Sequence, residues 1–271
     1  MRRHLTHLNH LTWALAVLAS PLSAHEFWIE PQDFELAEGA PVMAQTLVGT
    51  ELKGATYSYN PQNFTRFEIV TDAGVQPVEG RLGDKPALNM VPEGSGLATI
   101  VHVTRDYSLT YREWEKFTNF CEHKDFTWAI DRHLERGLGQ ERVYERYSRH
   151  AKSLVALGDG AGSDREVGLL TEIVAEANPY TDDLSGGFPV RVLYQGAPRA
   201  DVQVELFERD ADGVVTIRLY RTDDQGRTTV EVKPGHFYLV DAVVMRELEV
   251  SGDTDPAWES LWASLTFEVP E

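Results

Sequence analysis

Short runs of β-branched and aromatic residues, each closed by a turn signal, recur at even spacing through the second half of this chain. Residues 188–194 alternate along the strand period, turn at Gln195-Gly196-Ala197-Pro198 and return over 202–207. Residues 216–221 follow, Asp223-Asp224-Gln225-Gly226 turns the chain, and 228–232, 235–243 and 261–269 continue the pattern. Strands spaced this way are too short to stand alone and must stack face to face. The expected class is mainly β, and this half reads as a small Ig-like sandwich over 176–271.

The first half carries the same texture over residues 33–110. Segments 42–52, 64–70 and 97–104 read as strands, with Asp72-Ala73-Gly74 as a turn between them. A β-sandwich is expected over 25–175, interrupted by a three-helix insertion at about 110–157. Thr110 and Glu113 fit a capping box, and Trp114, Phe117 and Cys121 recur at helical spacing. A second helix is expected from Asp125, as N-cap, to Arg136, with Gly137 as its stop. A third is expected from about Glu141 to Leu157, with Tyr147, Ala151 and Leu154 as its apolar stripe and Gly158 at its end.

The N-terminus reads as an export signal. Arg2 and Arg3 precede an apolar stretch over 11–22, and Ser23-Ala24 offers small residues for cleavage. Residues 1–24 are then a signal peptide, and the mature chain starts at His25. Such a start places an α-amine, with an unperturbed pKa of about 7.7–8.0, beside its own imidazole. Together these two nitrogens form a chelate that an internal histidine cannot offer. The plainer alternative is a terminal histidine left exposed and idle.

Composition narrows the partners. Removing the leader leaves 23 basic against 43 acidic residues, a formal charge of −20. Nucleic acid and anionic lipid are therefore poor partners. The single cysteine, Cys121, allows no internal disulfide and is expected in the core. No second long apolar segment follows the leader, so no membrane span is expected after cleavage. Export without disulfides points to a bacterial periplasm.

Four histidines are candidate metal ligands: His25, His102, His133 and His150. His102 lies on a strand, on the face of Ala98 and Ile100. His133 and His150 fall on the expected second and third helices, with His150 inward. A buried imidazole needs a partner, so each is equally readable as a satisfied core group. His123, at the end of the first helix, is a weaker candidate, and His236 reads as a solvated strand edge. Nitrogen-rich donors suit nickel, cobalt, copper or zinc. There is no H-E-x-x-H pair, no G-x-S-x-G elbow, no phosphate loop and no dinucleotide fingerprint. Acidic pairs such as Asp182-Asp183 sit in turns, where solvation accounts for them.

Several stretches carry a resemblance. His25-Glu26-Phe27-Trp28-Ile29-Glu30-Pro31, the run Tyr144 to Val155, Glu172 to Tyr180 and Phe188 to Gly196 succeed one another in a familiar order. They resemble the exported bacterial family of domain of unknown function 4198, also described as NikM-like. The second unit, with Thr222-Asp223 and Gly235-His236-Phe237, is similar to small carboxypeptidase-regulatory-like sandwiches. The resemblance implies a periplasmic metal-binding accessory protein linked to nickel or cobalt uptake, which passes the metal to an importer component or another acceptor; the amine and imidazole of His25 with the imidazole of His102 would suit copper as well. It implies no catalytic residue, and it carries over only His25. Two alternatives stand beside it. One is a copper enzyme built on a histidine brace, with Trp28, Tyr57 and Tyr59 as an aromatic substrate surface. The other is a non-catalytic interaction module of two sandwiches.

Overall fold

Turn residues cut the chain into strands largely where alternation requires them. The computed structural model describes residues 25–271; the expected signal peptide lies outside the described residues. The first half runs β1 (Glu26–Pro31), β2 (Glu35–Leu36), β3 (Val42–Thr50), β4 (Lys53–Tyr57), β5 (Phe64–Thr71), β6 (Gly74–Pro77), β7 (Leu88–Met90), β8 (Gly96–Thr104) and β9 (Tyr107–Tyr111). Helices α1 (Trp114–His123) and α2 (Thr127–Glu135) follow. The chain continues through β10 (Val143–Leu157), β11 (Thr171–Ala175), β12 (Phe188–Tyr194), β13 (Ala197–Pro198), β14 (Gln203–Arg209), β15 (Val215–Arg221), β16 (Arg227–Val230), β17 (Phe237–Glu247) and β18 (Trp258–Glu268). The protein is mainly β, as expected.

One long sheet forms the middle layer, in the order β15-β14-β17-β18-β10-β8-β5-β6, with β2 and β9 also pairing with β10. Two four-stranded sheets, β1-β3-β4 with β7 and β11-β12-β13 with β16, cover it. Strand alternation sends successive side chains to opposite faces. Phe207, Leu239 and Ile100 therefore enter the core beneath β1 and β3. Leu206, Val240 and Leu265 enter a second core beneath β11 and β12. The helices pack through Phe117, Phe120 and Cys121 against Val243, Met245, Trp258 and Trp262 of the middle sheet. This sheet runs across the boundary expected at residue 175, because β10 pairs in parallel with β18 from Glu145 to Ser153.

The helical region corrects three expectations. Thr110 does not cap a helix but lies in β9, opposite Tyr144 of β10. The N-cap position of α1 is Glu113, and no side chain caps it. Asp125 does not cap α2 either. It takes a left-handed φ of 64° and pairs with Arg221, while Phe126 holds the N-cap position. Gly137 does end the second helix, at φ 68°.

The expected third helix is strand β10. The reason is its position between β18 on one side and β8 and β9 on the other. Both of its faces are buried, so the alternation that marks a half-exposed strand is absent. Tyr147, Ala151 and Leu154 then mimic a helical stripe. Ladder pairing with neighbours far along the chain outweighs that local pattern.

Candidate functional site

His25 stands at the entrance to β1. Register places it opposite Thr50, since Glu26 pairs with Gly49, and its Nδ1 is hydrogen-bonded to Thr50 Oγ1 at 2.9 Å. Its ring is exposed. Alternation puts His25 and Phe27 on the same side of β1. The Phe27 ring centroid lies 5.0 Å from that of His102.

His102 is reached from the opposite layer. It projects from β8 on the face of Ala98 and Ile100, as the sequence predicts. Phe64 and Phe67 of β5 enclose it, at ring centroids of 5.4 and 4.9 Å. Burial, with the nearby Arg149 cation second, pushes its pKa down to about 3. The imidazole is therefore neutral, and its Nδ1 has no hydrogen-bond partner among the described residues. A neutral, unpartnered imidazole has a lone pair to offer a late first-row metal.

Arg149 joins these two residues. Its Nη2 donates to the His25 carbonyl at 3.2 Å, and its guanidinium lies over the rings of Tyr147 (4.9 Å) and Phe27 (5.8 Å). It is buried with no salt-bridge partner among the described residues, and desolvation lowers its pKa. Sequence reading missed Arg149 because its segment reads as a helix. Read as a strand, Tyr147, Arg149 and Ala151 fall on one face.

A small cavity of about 40 Å³ opens among Phe27, Tyr57, Asn63, His102, Tyr107 and Arg149. On the other side of β1, Glu26 turns away from this cavity. It meets Lys124 at 3.6 Å, and Lys124 also holds Glu205 (2.9 Å) and Asp241 (3.3 Å). Burial raises the Glu26 pKa, with Lys124 opposing. Burial opposes the charge of Lys124, but Asp241, Glu205 and Glu26 outweigh it and raise its pKa. This buried group answers its own cation and lends no carboxylate to the His102 cavity.

The other candidate histidines lie elsewhere. His133 is held among Trp114, Phe117 and Trp258. Trp258 Nε1 donates to its Nδ1 at 3.0 Å, which leaves Nε2–H to donate to the Gly139 carbonyl at 3.1 Å. Both nitrogens are engaged, so His133 offers no free lone pair. His150 is hydrogen-bonded to Ser148 Oγ at 3.2 Å, and burial first, then Arg66, lowers its pKa to about 4. It shares its face of β10 with Leu154 of the second core, whereas Ala151 on the other face joins the core of His102. The sheet therefore separates His150 from His102, and the helical insert does not bring His133 to either.

Among the described residues, no group of three or more His, Cys, Asp or Glu side chains has metal-binding geometry. His123 is half-exposed beside Glu205, whose hydrogen bond raises its pKa. His236 is not a solvated edge. Its Nδ1 contacts buried Glu208 at 2.6 Å. Cys121 is fully buried, and burial raises its thiol pKa well above the usual range, as suits a core residue. Of the three aromatics proposed as a substrate surface, Trp28 is fully buried and only Tyr57 is largely exposed. A wider cleft between residues 137–144 and 250–257 is lined mainly by loops, and its Asp255 is engaged by the backbone N–H groups of Ser251 and Gly252.

Three stacked sheets, with His25 exposed at the entrance to β1 and neutral His102 buried against Phe27 of that strand, define a layered, mainly β protein. The chain belongs to the family described as Domain of unknown function (DUF4198), whose model matches residues 22–246. No curated protein matches it. Among solved structures, it is similar to a tetra-tandem repeat in the extending region of a large adhesion protein, at 11% identity and a TM-score of 0.22, covering 91% of this chain and 50% of that one. It is also similar to a DUF4785 family protein from Legionella pneumophila subsp. pneumophila str. Philadelphia 1, at 10% identity and a TM-score of 0.23, covering 81% and 52%. The chain spans about half the length of these solved chains. No helix among the described residues is long and apolar enough to cross a membrane.

Proposed function

We propose that the protein is a periplasmic accessory protein that captures nickel, cobalt or copper as cargo and delivers it to an importer or another acceptor. In this reading the chain is cut after Ala24, and His25 contributes its α-amine and imidazole. His102 supplies a third nitrogen. One observation carries the reading: His102 is buried, neutral and, among the described residues, without a hydrogen-bond partner at Nδ1, beneath the strand that follows His25. The neutral nitrogen donors suit late first-row metals and are poor for calcium or magnesium, which take oxygen ligands. His133 and His150 have no part in this set. The nickel and cobalt preference rests on the family resemblance, whereas the affinity order at nitrogen sites favours copper(II).

The test is metal titration of protein that starts at His25, followed by visible absorption and electron paramagnetic resonance. It is set against protein with one extra residue before His25. The extra residue keeps both imidazoles but moves the amine away. It should weaken binding strongly, as should His25→Ala and His102→Phe, while His236→Ala should leave binding unchanged. Binding should also weaken as pH falls roughly from 8 to 6, because the metal must displace the amine proton. Equal affinity in the extended and processed proteins would remove His25 from the site.

A further inference from the structure

Arg149 presents an unusual arrangement for so acidic a chain. Its guanidinium is buried, and its Nε–H has no acceptor among the described residues. Phe27 and Tyr147 lie against the group, while Nη2 reaches only a neutral carbonyl. A buried cation with an unmet donor is costly unless something answers it. Beside it is the cavity of about 40 Å³. That is room for roughly three water molecules, or for one carboxylate group.

The cavity wall is selective by charge. Arg149 is the one ionised residue among the fifteen that line it, although the sequence holds 43 acidic residues. His102, buried, is a second polar group whose Nδ1 is unpartnered among the described residues. Thr46, Asn60, Asn63, Thr104 and Tyr107 are among its uncharged polar groups, and exposed Tyr57 also lines it. Solvation by bulk water does not explain these two buried groups, because neither is exposed.

We infer that this cavity is a binding site for a small carboxylate, held by the Arg149 guanidinium with the His102 imidazole and Asn63 amide beside it. A planar two-oxygen anion matches the guanidinium fork, and a charge-assisted hydrogen bond from the guanidinium is the strongest one this wall can make. The site stands on Arg149 and does not require bound metal. A carboxylate there would also offset the positive charge that a metal ion at His25 and His102 would bring beside Arg149.

Acetate is the probe. It is titrated into processed protein stripped of metal with a chelator, and the Arg149 Nε–H resonance is followed by NMR, with chloride at equal ionic strength as control. A saturable shift with acetate but not with chloride is expected. Arg149→Gln should weaken acetate binding by about tenfold or more, the scale of one charge-assisted hydrogen bond. Arg149→Lys should fall between. Should Arg149→Gln fail to fold, the wild-type titration and Asn63→Ala, expected to bind acetate more weakly, decide the matter. An equal shift with chloride, no saturable shift, or unchanged affinity in folded Arg149→Gln would overturn the site. Because metal is absent throughout, these outcomes are independent of whether His25 captures a metal.

Discussion

Glu145 is a buried carboxyl with no salt-bridge partner among the described residues. Tyr111 donates to it at 2.8 Å and Ser260 also donates, yet burial outweighs both bonds and raises its pKa to about 7. Between 4.5 and 7 the folded protein holds a proton that the unfolded chain has released. The resulting stability is fully present below pH 4.5 and is lost as pH rises through 7, on the order of 3 kcal/mol in all. His102 and His150 act in the opposite direction. Their folded pKa values, about 3 and about 4, lie below the unfolded 6.5, so stability falls as pH drops below 6.5. Urea unfolding across this range should show a maximum between the two limbs. Glu145→Gln should flatten the alkaline limb, and His102→Phe, which suits an aromatic cage, should soften the acid limb. Unaltered limbs in both variants would mean that other groups set the profile.

At the scale of elements, β10 organises the centre of the molecule, and a buried lysine ties a loop to it. Lys152 reaches Asp164 at 2.7 Å, Glu172 at 3.2 Å and the Arg165 carbonyl at 3.1 Å. The carboxylates are satisfied in turn: Ala175 N–H donates to Asp164, and the N–H groups of Val167 and Leu169 donate to Glu172. Removing one member of such a set leaves uncompensated buried charge. Lys152→Met should therefore cost about 3–5 kcal/mol in urea unfolding. Adding Asp164→Asn and Glu172→Gln should restore part of that loss. If the triple variant is no more stable than Lys152→Met alone, the ion cluster is not the cause. This network was hidden in the sequence, because Lys152 lies on a strand read as a helix and its partners lie 12 and 20 positions further along the chain.

At the scale of the whole molecule, the continuous middle sheet determines how the chain unfolds. Two sandwiches, 25–175 and 176–271, would each own a core. Here β18 instead lies between β17 and β10, with both edges paired. A chain ending at residue 175 would expose the β10 edge from Glu145 to Ser153 together with apolar surface from both cores. Such an edge invites association with other strands. Truncated protein should aggregate or remain unfolded. The full described chain should unfold in one urea transition, with tryptophan fluorescence and far-ultraviolet circular dichroism coincident. Two separated transitions would show that the halves are energetically independent.

The sequence by itself determined what depends on a residue and its near neighbours. Turn residues and alternation marked about half of the strands, including β8 with His102 on its inward face, and Gly137 marked the end of α2. The succession of segments from His25 to Gly196 marked the family. Tertiary structure alone decided what depends on distant partners. It made β10 a strand, because β8, β9 and β18 arrive from both sides to pair with it. It locked His133 between Trp258 and Gly139 and turned His150 away from His102. It also brought Arg149 beneath His25, across 124 positions of chain. Local patterns report backbone preference and the exposure of one face. A strand buried on both faces carries neither signal, so its register, and every side chain it aims, emerges only when the sheet assembles.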